Sequence, residues 1–181
     1  MWIRNARLEE AAALAEVFWR AVREGSSPYP EAARAAWAPE PPSAHDFAAR
    51  LEGLETVVAE AAGITGFMAM DAGGYLDMAF VLPAQRGQGV ADQLLAVLES
   101  RARARRLPLL TTRASLMARS FFARQGWQVV APDPVTRAGV VLDRFEMRKP
   151  LAASLGEKGR AAEAGARIFD NPWPGSLATA R

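Results

Sequence analysis

The chain of 181 residues contains no cysteine and one histidine, His45. Without cysteine there is no disulfide framework, no thiol nucleophile and no cysteine-based zinc site, and a metal site would need carboxylate ligands. Lysine is also scarce, since 20 of the 22 basic residues are arginine. We therefore predict neither thiol chemistry nor a metal site.

Long hydrophobic runs are missing as well. Proline, arginine or glutamate interrupts every apolar stretch well short of the ~20 residues that a membrane-spanning helix requires, and the N-terminus has no apolar core of a secretion signal. Hydrophobic residues make up 50% of the chain and charged residues 23%, a balance typical of a globular domain. We expect a cytoplasmic protein without membrane contact.

The net charge of +2 is too small to indicate a nucleic-acid partner. Four arginines cluster between residues 101 and 106, where the sequence predicts the end of a helix. Cations complement the dipole at that end of a helix, and no aromatic residues interleave with them for base stacking. A solvated helix end explains the cluster, and RNA binding is the alternative.

The order of predicted elements favours one mixed α/β domain over residues 1–150, with residues 151–181 as a C-terminal extension that docks on the body or on a neighbouring chain. Apolar periodicity and caps predict helices after the first strand and over residues 43–52, 88–106 and 115–125. Strands are predicted at the N-terminus and over residues 56–60, 64–70, 75–81, 109–113, 127–130 and 140–147. This order predicts a mixed sheet that contains an antiparallel strand set and is covered by helices.

One strand leads through a glycine-bearing turn into the most regular predicted helix. The first amides of a helix are unpaired and carry partial positive charge, and glycine lets a ligand approach the backbone. Arg86 adds a guanidinium, and no acidic residue occurs in the turn before Asp92. The pattern predicts an anion site suited to a diphosphate. Alternatively, Gly87 and Gly89 only permit a tight turn.

Two segments carry a family resemblance. The first, Arg86-Gly87-Gln88-Gly89-Val90-Ala91, resembles the Arg/Gln-x-x-Gly-x-Gly/Ala signature of the GNAT superfamily of acetyl-CoA-dependent N-acetyltransferases, and it follows a Val-x-Pro strand end. The second, residues 115–127, is similar to the family's Asn-x-x-Ala-x-x-x-Tyr-Glu-Lys-x-Gly-Phe segment. The resemblance covers about residues 1–149. The stretch Tyr75-Leu76-Asp77-Met78 is also similar to small bacterial YafP-type acetyltransferases.

The resemblance implies an acyl-CoA N-acyltransferase fold, in which helices cover both faces of a mixed, mostly antiparallel sheet that is splayed at the strand ending in Val81. It also implies acetyl-CoA as the cofactor. The residues that it implies for cofactor binding are Phe80, Val81, Arg86, Gly87, Gln88, Gly89, Val90, Ala91, Ser115, Phe122 and Arg124. Two positions depart from the family. Phe122 stands where many relatives have a tyrosine that protonates the leaving thiolate, and Ser115 replaces the usual asparagine. The alternatives are that water takes that role, that another hydroxyl does, or that the thiolate receives little help.

Asp77 is our candidate general base. An amine attacks a thioester only when it is unprotonated, so a carboxylate on a central strand could accept its proton directly or through water. Strand alternation places Tyr75, Asp77, Ala79 and Val81 on one face. The alternative for Asp77 is a structural ion pair with an arginine. Glu60 is a weaker candidate, and His45 is expected to be solvent-exposed.

Large aromatic side chains are expected to form the acceptor site, namely Tyr29, Trp37, Phe47 and Tyr75. The proline-rich segment that contains two of them has few acidic residues. This composition favours a small or peptide-like primary amine as the acceptor over a polycation. Whether the protein forms a homodimer is left open. The alternative function is an acyl-CoA sensor with little or no turnover, because the tyrosine is absent at position 122.

Overall fold

A computed structural model describes residues 1–151 of the protein. The predicted docking of the C-terminal extension falls almost wholly on residues 152–181, outside the described part. No helix among residues 1–151 is both long enough and apolar enough to cross a membrane.

The described residues form five α-helices and nine β-strands. The helices are α1 Ala11–Arg23, α2 Glu31–Trp37, α3 Ala44–Leu51, α4 Val90–Ala104 and α5 Leu116–Arg124. The strands are β1 Trp2–Asn5, β2 Glu55–Glu60, β3 Ile64–Met70, β4 Tyr75–Val81, β5 Leu109–Ser115, β6 Gln128–Pro132, β7 Val135–Arg137, β8 Val140–Leu142 and β9 Arg144–Pro150. Short 3-10 helices precede α1 and follow β4, at Leu8–Glu10 and Pro83–Gln85.

Seven strands make one sheet in the order β1-β2-β3-β4-β5-β9-β6, and β7 and β8 form a separate hairpin. Every neighbouring pair is antiparallel except β4 and β5, which are parallel. The predicted mixed, mostly antiparallel sheet is therefore confirmed.

Side chains of the central strands alternate between two hydrophobic cores, one on each face of the sheet. On one face, Val57 and Met68 pack with Leu94 of α4 and with residues of α5. On the other face, Val58 and Phe67 pack with residues of α1 and α3. Because adjacent strand residues point to opposite faces, each strand contributes to both cores. Helices cover both faces of the sheet, as predicted.

The sheet is splayed between β4 and β5. Their only registered pairs are Tyr75 with Thr111 and Leu76 with Thr112, although the strands continue to Val81 and Ser115. Beyond these pairs the backbones separate, so the edge of β4 that faces β5 has no ladder partner there. A gap therefore opens in the middle of the sheet.

The last strands of the described part differ from our prediction of one strand over residues 140–147. Residues 140–142 instead pair with 135–137 in the β7–β8 hairpin, and β9 begins at Arg144. The hairpin turn is Ala138-Gly139, and both residues have positive φ, 45° and 76°. This is the backbone twist that two-residue hairpin turns require. The hairpin packs on α2, where Leu142 is buried beside Tyr29.

Candidate active site

A groove with a volume of about 660 Å³ lies along the gap between β4 and β5. Most of the residues predicted to bind the cofactor line it, namely Phe80, Val81, Arg86, Gly87, Gly89, Val90, Ala91, Ser115 and Arg124. Two predicted residues, Gln88 and Phe122, are not among its lining residues. The groove brings the carboxyl end of β4 together with the first turns of α4 and α5.

The start of α4 is open and polar. Gly87 and Gly89 have φ values of 78° and 75°, and a Cβ atom built on either would meet no atom within 4 Å. Among residues 1–151, the amides of residues 87–91 donate no hydrogen bond to the protein, and no side chain caps the helix. Positive φ shows that the turn needs glycine, and the empty space shows that a ligand can reach these amides.

The Arg86 side chain does not extend into this open turn. Its Nη2 donates to the carbonyl of Ala21 at 2.5 Å and its Nη1 to that of Ser26 at 3.2 Å. Burial lowers the pKa of the guanidinium. Arg86, which we predicted to add a cation to the anion site, instead binds carbonyls at and just after the last turn of α1. Carbonyls at the end of a helix lack helical hydrogen-bond partners. Gln88 is also engaged locally, since Nε2 donates to the carbonyl of Ala84 at 2.8 Å.

Phe122 lies in the core rather than against the groove. Its side chain is only 1% exposed, and its ring packs on Trp127 with centroids 4.9 Å apart. The neighbouring Phe121 lines the groove instead. Successive helical residues point about 100° apart, so a pattern aligned on the sequence does not determine which of two adjacent phenylalanines faces the cofactor side.

A second, smaller cavity of about 130 Å³ adjoins the groove. The predicted base and all four predicted acceptor residues line it, namely Asp77, Tyr29, Trp37, Phe47 and Tyr75. We call this cavity the acceptor pocket. Four residues line both cavities: Tyr29, Trp37, Phe80 and Ser115. The two cavities therefore meet at one junction.

Asp77 occupies a β-bulge. Met70 of β3 pairs with Leu76 and Ala69 pairs with Met78, so Asp77 is an extra residue on β4. The predicted simple alternation along β4 is wrong here, because Leu76 and Met78 enter different cores. Bulges re-aim side chains and are frequent beside active sites.

Asp77 forms an ion pair with Arg50 of α3. The Nη2 atom of Arg50 lies 2.9 Å from Oδ2 and 3.2 Å from Oδ1. The structural alternative that we considered for Asp77 is thus present. Asp77 is nevertheless the only carboxylate among the lining residues of the acceptor pocket. Burial, followed by the charge of Asp77, raises the pKa of Tyr75 above its ordinary value.

The two hydroxyl groups near the junction, those of Tyr29 and Ser115, differ in whether they already donate their hydrogen. The Tyr29 hydroxyl donates to the carbonyl of Asp143 and accepts from the amide of Leu116 at 3.0 Å. Its hydrogen is therefore used to hold the loop before α2 against the sheet. Ser115 caps α5 by accepting from the amide of Ala118 at 3.2 Å. A hydroxyl that accepts in this way keeps its own hydrogen available.

The basic side of the acceptor pocket was not predicted from the sequence. Arg50, Arg113, Arg137 and Arg144 all line it. Twenty arginines are spread along the chain, and nothing local separates these four from the others. One signal in the sequence bears on Arg137. Residues that favour strands lie on each side of Ala138-Gly139, and this pattern predicts a hairpin that contains Arg137.

The two weaker catalytic candidates lie outside both cavities. Glu60 accepts from Nε of Arg4 at 2.5 Å, and this hydrogen bond lowers the pKa of Glu60. His45 is exposed in the first turn of α3, as expected. In the basic cluster at the end of α4, Arg101 and Arg105 both pair with Glu55.

The splayed sheet, with a groove at the start of α4, defines an acyl-CoA N-acyltransferase fold. Residues 26–149 match the profile of the acetyltransferase (GNAT) domain. The chain therefore belongs to the GNAT acetyltransferase family. No curated protein sequence matches it.

Solved structures agree with this assignment. The chain is 31% identical to a GCN5-related N-acetyltransferase from Rhodopseudomonas palustris, with a TM-score of 0.72 over 83% of this chain and 95% of that one. A phosphinothricin acetyltransferase from Sinorhizobium meliloti, solved with acetyl-CoA, is 21% identical with a TM-score of 0.65, covering 88% and 92%. PaiA N-acetyltransferase from Thermoplasma acidophilum, solved with coenzyme A, is 18% identical with a TM-score of 0.64, covering 83% and 98%. The last two likenesses concern the fold alone.

Proposed function

We propose that the protein transfers the acetyl group of acetyl-CoA to a primary amine of a small molecule or peptide. The observation that carries this proposal is the junction of the two cavities at Tyr29, Trp37, Phe80 and Ser115. The groove suits a long ligand with a diphosphate, and the pocket suits a small one. A shared opening lets a thioester in the groove meet an amine in the pocket.

The groove offers acetyl-CoA several distinct contacts. The amides of residues 87–91 would bind its diphosphate through the helix N-terminus. The edge of β4 at Phe80 and Val81, which β5 leaves unpaired, would bind the pantetheine arm by backbone hydrogen bonds. Phe121 and Arg124 of α5 would lie on the other side of the arm, with Phe121 in place of the predicted Phe122.

Acetyl-CoA supplies the acetyl group as an activated thioester when it is bound. In the transfer, an N–C bond forms to the acceptor, the C–S bond breaks, one proton leaves the amine and one proton reaches the thiolate. The role of the protein is then largely to orient the amine and to move these two protons.

Asp77 would accept the amine proton, directly or through a water molecule. Arg50 holds both carboxylate oxygens of Asp77 and so fixes its orientation. A bound water relaying the proton to Asp77 is compatible with this pairing.

The proton for the thiolate must come from a group other than residue 122. Ser115 lies at the junction and keeps its hydroxyl hydrogen available, whereas the hydrogen of Tyr29 is already donated. A water bound to Ser115 serves the same purpose. This assignment makes Ser115 functional at the position where the family signature has asparagine.

An acyl-CoA sensor remains the second candidate function, because Phe122 leaves the usual acid absent. RNA binding is disfavoured by the pairing of Arg101 and Arg105 with Glu55. The YafP-type subfamily, the domain limits at residue 150, the cytoplasmic location and the homodimer stay predictions.

The test combines binding with turnover. Calorimetry measures acetyl-CoA affinity, and a thiol reagent measures coenzyme A release with a panel of amines. We expect binding and release that depends on the added amine. Binding without amine-dependent release would favour the sensor, and no binding would refute the groove assignment.

A further inference from the structure

The acceptor pocket has more positive than negative charge. Four arginines line it, and two carboxylates neutralise part of their charge. Asp77 pairs with Arg50. Asp133 pairs with Arg144 at 2.7 Å and with Arg113 at 3.4 Å. Two carboxylates against four guanidinium groups leave a surplus of two positive charges around a cavity of about 130 Å³.

Of these four arginines, Arg137 is the one whose side chain has no partner. Among the described residues, its guanidinium forms neither an ion pair nor a hydrogen bond, although the residue is half-buried. Burial lowers its pKa, and the like charges of Arg144 and Arg50 lower it further. A desolvated cation held near two others is unfavourable unless an anion compensates it.

The backbone holds Arg137 firmly in this place. It is the last residue of β7, paired with Val140 across the two-residue turn. Ala138 in that turn has φ of 45°, a region that non-glycine residues rarely adopt. The hairpin packs on α2 and on the segment before it, because Leu142 is buried in one cluster with Ala33 and Tyr29. The guanidinium is therefore presented to the pocket from a hairpin that is packed against the body of the domain.

We propose that the acceptor amine also carries an anionic group, in the simplest case a carboxylate, which Arg137 binds. This inference rests on the proposed function. Arginine binds carboxylates through two parallel hydrogen bonds, and no other anion among the lining residues is free to occupy Arg137. Asp77 would receive the amine of the same molecule. Because the cavity is small, a free amino acid fits this description better than a peptide.

Matched acceptors test the inference. Acetyl transfer is measured with alanine, leucine and phenylalanine and with the corresponding amino acid amides. The amides keep the side chain but lack the carboxylate, and their less basic amine is more reactive at neutral pH. A preference for the acids therefore cannot arise from amine reactivity. We expect kcat/KM to be at least about tenfold higher for at least one acid than for its amide.

Two variants remove one positive charge each. Arg137→Gln should lower kcat/KM for the preferred acid by about 10- to 100-fold and leave its amide unchanged. Arg148→Gln is the control, since Arg148 is exposed on β9 and does not line the pocket. It should change neither substrate. Equal losses for acid and amide in Arg137→Gln, or a wild-type preference for amides, would overturn the inference.

Direct binding separates this inference from the proposed function. The same amino acids and amides are titrated calorimetrically into the wild type and Arg137→Gln without acetyl-CoA. Acid binding that depends on Arg137, together with absent transfer, would refute only the acetyltransferase. Transfer to amides and acids alike, with no effect of Arg137→Gln, would refute only the anionic acceptor.

Discussion

Replacing Gly89 with alanine tests whether the start of α4 binds the diphosphate. Gly89 is the residue before the first helical turn, with φ of 75°. A Cβ atom there would meet no protein atom within 4 Å. The added methyl group would therefore occupy space that only a ligand fills, and the folded chain would accept it apart from backbone strain.

The strain and the binding loss can be separated by a matched control. Alanine in the left-handed region costs about 1–2 kcal/mol of stability. Gly53 has φ of 73° and equally open surroundings in the turn between α3 and β2. Gly53→Ala should thus cost the same strain away from the groove. Loss of one amide hydrogen bond to a charged phosphate costs about 1.5–3 kcal/mol, which raises the Kd about 10- to 150-fold.

Calorimetric titration with acetyl-CoA gives the Kd of the wild type, Gly89→Ala and Gly53→Ala. Urea unfolding gives their free energies of unfolding. We expect similar stability losses in the two variants and weaker acetyl-CoA binding only in Gly89→Ala. Equal affinities in the two variants would mean that the diphosphate binds elsewhere, and the reasoning from open amides would be wrong.

Three further predictions concern single side chains. Asp77→Asn should lower kcat about 100-fold, whereas Arg50→Gln, which breaks the same ion pair but keeps the carboxylate, should retain most of kcat; equal losses would assign Asp77 to structure. The hydrogen bond from Arg4 lowers the pKa of Glu10 from 4.5 to about 2. Glu10→Gln should therefore cost about 1–3 kcal/mol of unfolding free energy at pH 7. That difference should shrink as the pH falls from 4.5 to 2; a constant difference across this range would contradict the ion-pair account. Phe122→Tyr should not raise turnover, because the ring lies in the core; a tenfold rise would place residue 122 at the thioester.

Local patterns predicted the elements that depend on local interactions. The helix predicted from its cap at Ser43 is confirmed, because the Ser43 hydroxyl accepts from the amide of Asp46 at 3.1 Å. The helix after the glycine turn begins at Val90 rather than at residue 88, since Gly89 has a left-handed backbone and cannot continue it. Both features are determined within a few residues, so a sequence displays them.

Long-range features escaped prediction for a physical reason. Arg86 was expected to extend toward an anion, yet it donates to the carbonyls of Ala21 and Ser26, about sixty residues away in the chain. The bulge at Asp77 depends on pairing with β3, and β4 alone shows only a regular alternation. Such partners are fixed by tertiary packing, which overrides local preference.

The groove and the acceptor pocket also differ in how many separate segments of the chain form them. The amides at the start of α4 come from one contiguous segment, so one stretch of sequence carries the diphosphate site. The acceptor pocket is assembled from α1, α2, α3, β4, β5, β9 and the β7–β8 hairpin, through residues such as Trp37, Phe47, Asp77, Arg113 and Arg137. A substitution in any of these elements can change the shape or charge of the pocket without touching residues 86–91. The choice of acceptor therefore depends on side chains such as the unpaired arginine of the hairpin, and the family signature does not include them.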